Sequence, residues 1–253
     1  DLQRYRAFLL ESLGRHQDAQ LVAGKVYTSL PDDPETQLVL GMTYLDSHTE
    51  KALELFTKAM EGNPNLNMAY RMLGEANIRL GRFHDALAFF QRRLERDPGQ
   101  FQSLKAVATV YTAVGEFGKA AQVYETILGT EPDKIEAAIA AARIKSQFYN
   151  KAREAHRLLA AFEKANEDLP PAQMAQVLCE RAACLRLAGK QKKALEVVTQ
   201  ALEKDPMQVI ALYLRAVLEV ETGDVAKAIG HLREMRSHLP EEPRVLAWLA
   251  IAE

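Results

Sequence analysis

The sequence predicts an all-α protein, a solenoid of antiparallel helix hairpins, and three periodic series of residues predict it. Pro31, Pro64, Pro98 and Pro132 stand 33, 34 and 34 residues apart, and Pro206 and Pro240 are again 34 apart. Ala19, Ala52, Ala86, Ala120, Ala194 and Ala228 each lie 12 residues before one of these prolines. Five of those alanines have a glycine five residues ahead of them: Gly14, Gly81, Gly115, Gly189 and Gly223. A fixed period of this length is the mark of a repeat architecture, in which each unit buries its apolar face only by stacking on its neighbours.

Each series has a physical role. Proline gives no hydrogen to the helix ladder and disfavours the helical region for the residue before it, so each proline closes one hairpin. The alanine starts the second helix of the hairpin and lets two helices approach closely. The glycine ends the first helix by taking the left-handed conformation. Within residues 67–98, Tyr70, Leu73, Gly74 and Asn77 fall on one side of a first helix. Phe83, Ala86, Leu87 and Phe90 fall on one side of a second. Spacings of three and four are those of an amphipathic helix packing one face.

The pattern resembles the tetratricopeptide repeat, whose signature runs Leu-Gly-x-x-Tyr, then Ala-x-x-x-Phe, then Pro. Leu40, Gly41, Tyr44, Ala52, Phe56 and Pro64 match every element. Leu73, Gly74, Ala86, Phe90 and Pro98 match most, and Tyr111, Ala120, Tyr124 and Pro132 match with conservative changes. The resemblance covers essentially the whole chain. It implies a right-handed superhelical solenoid of about seven repeats plus part of another, as a single array. The expected units are roughly 1–32, 33–66, 67–100, 101–134, an irregular 135–173, 174–208, 209–242 and a partial 243–253.

Two departures stand out. The turn at Asp46–Glu50 lacks glycine and is one residue short. Segment 133–173 is irregular: its first helix is rich in alanine, no turn glycine follows, and Ala152 precedes Ala194 by 42 residues. A long second helix running through Phe162 and Leu169 to Pro170 and Pro171 accounts for the extra length. It would either alter the stacking there or be a partner-specific insertion. The first unit starts inside its first helix, and a further first helix begins after Pro240 without its partner. The chain therefore reads as a fragment of a longer array or multidomain protein, with 243–253 a candidate surface for self-association.

Composition sets outer bounds. The chain is 48% apolar and 26% charged, with a formal net charge of −2. A near-neutral chain has no basic field to hold nucleic acid, and no repeated base-reading side chain appears. No apolar run is long enough to span a bilayer. Cys179 and Cys184 match no metal spacing and read as small buried apolar residues. The sequence leaves the compartment open between cytoplasm and periplasm.

The function expected is a non-catalytic interaction scaffold with a protein or peptide partner and no cofactor. A docking segment of a bacterial envelope machine, such as exopolysaccharide export or pilus assembly, is the alternative. In the family resembled, the first helices line a concave groove. That implies partner-binding positions at Arg71, Glu75 and Arg79, at Gln102 and Lys105, at Arg143, and at Tyr213 and Val217. The groove would be charged in its middle and apolar near its C-terminal end. Some family members grip chaperone tails with a Lys/Asn/Asn/Lys/Arg clamp; here the matching sites read Arg4, Phe8 and Val39, which disfavours that mode. The runs Arg92-Arg93 with Arg96, and Lys190, Lys192 and Lys193, read as solvated surface.

No catalytic motif is present: no phosphate-binding glycine loop, no Gly-x-Ser-x-Gly, no His-Glu-x-x-His. The six histidines are scattered over different units, and His231 and His238 show no acidic or cysteine partner at ligand spacing.

Overall fold

The computed structural model describes residues 2–238 and Leu249. The described residues form helices α1 (Leu2–Ser12), α2 (His16–Ser29), α3 (Pro34–Tyr44), α4 (Thr49–Gly62), α5 (Asn67–Arg79), α6 (Phe83–Arg96), α7 (Phe101–Ala113), α8 (Phe117–Thr130), α9 (Ile135–Gln147), α10 (Ala152–Ala165), α11 (Pro171–Leu187), α12 (Gln191–Lys204), α13 (Val209–Thr222) and α14 (Val225–His238), with no strand among them. The segment 243–253, expected to be a partial repeat and a self-association surface, lies outside the described residues except for Leu249.

The chain divides into two compact units, residues 1–123 and 124–253. In the first, the hairpins α1–α2, α3–α4 and α5–α6 stack in order and α7 packs on α6. In the second, α9–α10, α11–α12 and α13–α14 do the same. Each unit is thus an all-α solenoid of helix hairpins.

The periodic residues do the work expected of them. All six spaced alanines are fully buried, at 0% exposure, as the fourth residue of a second helix. The turn glycines hold positive φ, +70° at Gly81 and +92° at Gly223, where a side chain would be strained. In each such turn the next amide bonds back five residues, as Arg82 N–H does to the Asn77 carbonyl at 2.8 Å.

Glycine has a second use at Gly41 and Gly74. A Cβ on Gly41 would lie 2.6 Å from the Phe56 ring, and one on Gly74 would lie 2.5 Å from Phe90. The two positions of the repeat therefore trade volume. Where the second helix offers phenylalanine, the first offers glycine. Where it offers Leu159, Val198 or Leu232, the first offers Ala142, Ala182 or Ala216, and each such pair shares a buried cluster.

The irregular segment departs from expectation in a definite way. α10 is not long: it ends at Ala165 and has 14 residues, like the other second helices. Its fourth residue is Ala155, at 0% exposure, so Ala155 and not Ala152 is the repeat's small residue. The turn before it carries one extra residue, and Lys151 N–H reaches six residues back to the Lys145 carbonyl. Asn150 takes the left-handed conformation there, φ +52°, the role glycine has elsewhere. The remaining extra length lies in loop 166–170 and in α11, which has 17 residues. Its added first turn is anchored by Met174, 6% exposed in the α11–α12 core.

Both cysteines are buried, Cys179 in that core and Cys184 in the cluster that α11 shares with α9 and α10. Burial pushes the Cys179 thiol up to about 12 and the Cys184 thiol up to about 11, so neither is a nucleophile at neutral pH.

Candidate functional site

Four of the sequence-predicted positions come together in the first unit. Arg71 and Glu75 on α5, and Gln102 and Lys105 on α7, line one open depression of about 280 Å³ that Thr109 also lines and whose floor includes Phe90. α5 and α7 are first helices of successive hairpins. Spacings of three and four put these side chains on the faces that Leu73 and Val107, buried at 1% and 5%, leave free.

The charges on this surface are coupled. Glu75 lies 3.6 Å from both Arg71 and Arg79. Arg79 also pairs with Asp46 of the α3–α4 turn. Arg71 rests on the Met68 sulfur at 3.0 Å. Glu75 is thus shared by two guanidiniums, and Lys105 lies across the depression.

Of the basic run on α6, Arg92 and Arg96 are exposed as the sequence suggests, and Arg93 is the exception. Arg93 is half-buried with one terminal nitrogen sealed and unbonded. Burial first, and the nearby Arg71 second, push its pKa down. Arg96 donates to the Pro64 carbonyl at 2.6 Å and lies 5.0 Å over the Tyr70 ring. Arg93 is thus a further positive side chain beside Arg71. Lys190, Lys192 and Lys193 are exposed or nearly so, as expected of a turn.

The other predicted positions belong to the second unit. Arg143 on α9 is paired with Glu180 of α11, which holds its pKa up. Tyr213 is half-buried against the cluster of Ala216, Leu232, Met235 and Leu249. Val217 is a correction: it is 1% exposed, packed inside the stack, and offers nothing to a partner. Ile210, at 49% exposure, is the most exposed of the large apolar residues of α13.

His231 also corrects the sequence reading. Its Nδ1 lies 2.8 Å from a carboxylate, Glu219 of α13, itself 4% exposed. The pair ties the two helices of the last hairpin together. Among the described residues no group of three His, Cys, Asp or Glu side chains could hold a metal ion. No described helix is long and apolar enough to cross a membrane.

Stacked helix hairpins with a small-residue seam, a left-handed turn and a polar face on the first helices define an all-α helical-repeat protein. Tetratricopeptide repeat profiles match residues 46–108, 103–135 and 188–243, together more than half of the chain. The chain belongs to the tetratricopeptide repeat family. Proteins of this family bind peptide or protein partners, and their fold typically serves as a non-catalytic scaffold.

Among curated proteins, the chain is 25% identical over 184 residues to the tetratricopeptide repeat and J domain-containing co-chaperone DNJ1 of Cryptococcus neoformans. The match takes in 70% of this chain and 35% of that protein, so the chain spans about a third of that relative's length. Among solved structures, a tetratricopeptide repeat protein of Parabacteroides merdae superposes with a TM-score of 0.64 at 15% identity, over 99% of this chain and 97% of that one. YrrB, described as having an unusual peptide-binding site, superposes with a TM-score of 0.55 at 19% identity, over 76% of this chain and 96% of that one. At these identities the structural likeness is one of fold.

Proposed function

We propose that this chain is a non-catalytic scaffold that holds a segment of a partner protein in the groove between α5 and α7. The observation that carries the reading is the convergence of Arg71, Glu75, Gln102 and Lys105 on one depression over an apolar floor. Apolar walls supply burial, and the polar groups fix orientation, which is the usual division of labour in a recognition groove. The lining carries Arg71, Lys105 and Glu75 beside Phe90 and Ile78, so the segment held presents polar or charged side chains next to an apolar one. The same surface serves whether the chain acts alone or as the docking segment of a larger assembly.

The test is quantitative affinity capture from source lysate with the native chain and with Arg71→Glu/Lys105→Glu. The reading expects a discrete protein retained by the native chain and lost by the variant, with helical content unchanged by circular dichroism. Equal capture by both would remove the groove from the account.

A further inference from the structure

We propose that the cleft between α12 and α14 is a second docking site, for a partner peptide presenting one internal Asp or Glu side chain beside a large apolar one, with Arg215 taking the carboxylate. The proposal is independent of the α5–α7 groove, which lies in the other unit.

Arg181 and Arg215 are 34 residues apart, each eight residues before a turn glycine, Gly189 or Gly223. Leu73 and Val107 hold the same place ahead of Gly81 and Gly115, and both are buried. Arginine at a core position of the stack brings a charge that has to be paired. For Arg181 the pairing is internal: it bonds Glu163 of α10, eight residues after Ala155. The corresponding residue of α12, eight after Ala194, is Leu202. Arg215 therefore meets a leucine where Arg181 meets a carboxylate. It makes no hydrogen bond or ion pair among the described residues, and its Nε is sealed from solvent.

Beside Arg215 lies a cleft of about 300 Å³. Leu202, Met207, Leu212 and Met235 supply its apolar walls, and Arg215 is the cation among them. The size is the lower end of the range for ligand pockets and suits one or two side chains, not a whole helix. Glu234 lines the cleft and Glu219 holds the His231 ring on its wall. Two carboxylates around the site repel a polyanion such as a nucleic acid strand. A single carboxylate with an apolar neighbour matches the walls, the cation and the limit on charge. A guanidinium with free donors takes a carboxylate bidentately, and an apolar surround strengthens the bond.

The experiment uses the 253-residue chain against an array of nonapeptides, each with one central Glu flanked by Leu or Phe, and each paired with its Gln twin. Hits are measured by fluorescence polarisation. Expected are Glu peptides that bind and Gln twins weaker by about tenfold or more, the worth of one charge-assisted hydrogen bond. Arg215→Leu and Leu202→Glu both abolish binding, the second by supplying the carboxylate from within; Arg181→Leu retains it. Both substitutions use residues that the repeat already carries at those places, and thermal melts check the fold. If Arg215→Leu fails to fold, Leu202→Glu decides alone, and it melts no lower than native. The proposal is overturned if no Glu peptide binds, if the Gln twins bind equally, or if Leu202→Glu binds like native.

Discussion

The hairpins α5–α6 and α9–α10 solve one packing problem with different residues. In α5–α6 a large ring, Phe90, lies against a glycine, Gly74, and Gly81 turns the chain. In α9–α10 Leu159 lies near Ala142, and Asn150 turns the chain one residue later. What is held constant is the summed volume at the seam and one left-handed residue in the turn. The side chains that deliver them are free to change. A motif search sees the first hairpin easily and the second poorly, although both bury the same seam.

The largest effect expected from breaking this comparison is at the rings. Phe90→Ala should cost about 3–5 kcal/mol, and Leu159→Ala about 2–5 kcal/mol, by loss of burial and an unfilled cavity. Denaturant unfolding checks both. Next comes the seam itself. Gly74→Ala forces a methyl into the Phe90 ring and should cost about 1–3 kcal/mol. Adding Phe90→Leu, the α9–α10 solution, should recover part of that, giving a favourable coupling in a double-mutant cycle. Equal costs with and without Phe90→Leu would contradict the volume trade.

The paired arginine gives a third contrast. Glu163→Ala leaves the Arg181 guanidinium half-buried without its carboxylate, and about 1–3 kcal/mol should be lost. Arg181→Leu, which restores the residue used at Leu73, should be near neutral or stabilising in the same unfolding assay. The turns come next. Gly81→Ala should cost about 1 kcal/mol because φ is positive there, whereas Asn150→Gly should change stability by a few tenths or less.

The last effect concerns the cap of α3 and its pH dependence. Asp33 accepts from the Thr36 amide at 2.8 Å and is bonded by Arg4. Burial works to raise its pKa, but those bonds outweigh burial and hold it below the usual carboxylate value. Its contribution is therefore present above the unfolded carboxylate pKa of about 4 and lost as pH falls through the lower folded value. Asp33→Ala should cost about 1 kcal/mol at pH 7 and progressively less on acidification below pH 4. An acid titration of melting temperature, native against variant, shows whether the gap closes.

Much of the fold was legible because three residue types mark it at fixed spacing. Proline, alanine and glycine each answer a backbone or close-approach requirement that few residues can meet. The irregular segment was misread because Ala152 stands near the expected place and masked the true seam residue, Ala155. The signal for the correct register was Asn150, the other residue that tolerates a left-handed turn. The groove was legible in part. Helical spacing located Arg71, Glu75, Gln102 and Lys105, since these positions need only the faces of α5 and α7. It failed for Val217, because an apolar residue on a first helix can face either the groove or the stack, and only packing decides. The half-buried arginines were present in the 34-residue spacing of Arg181 and Arg215 at the repeat's leucine position, but reading them required the neighbouring helix that pairs one and not the other.

The central claim, that the α5–α7 face is the surface that holds a partner, is tested most directly by site-specific photocrosslinking. A benzophenone side chain placed at Gln102, exposed in the groove, is compared with one at Arg92, exposed on the second helix of the adjacent hairpin. The account predicts a discrete protein adduct from position 102 and none from position 92. Adducts of equal yield from both positions, or from position 92 alone, would contradict it.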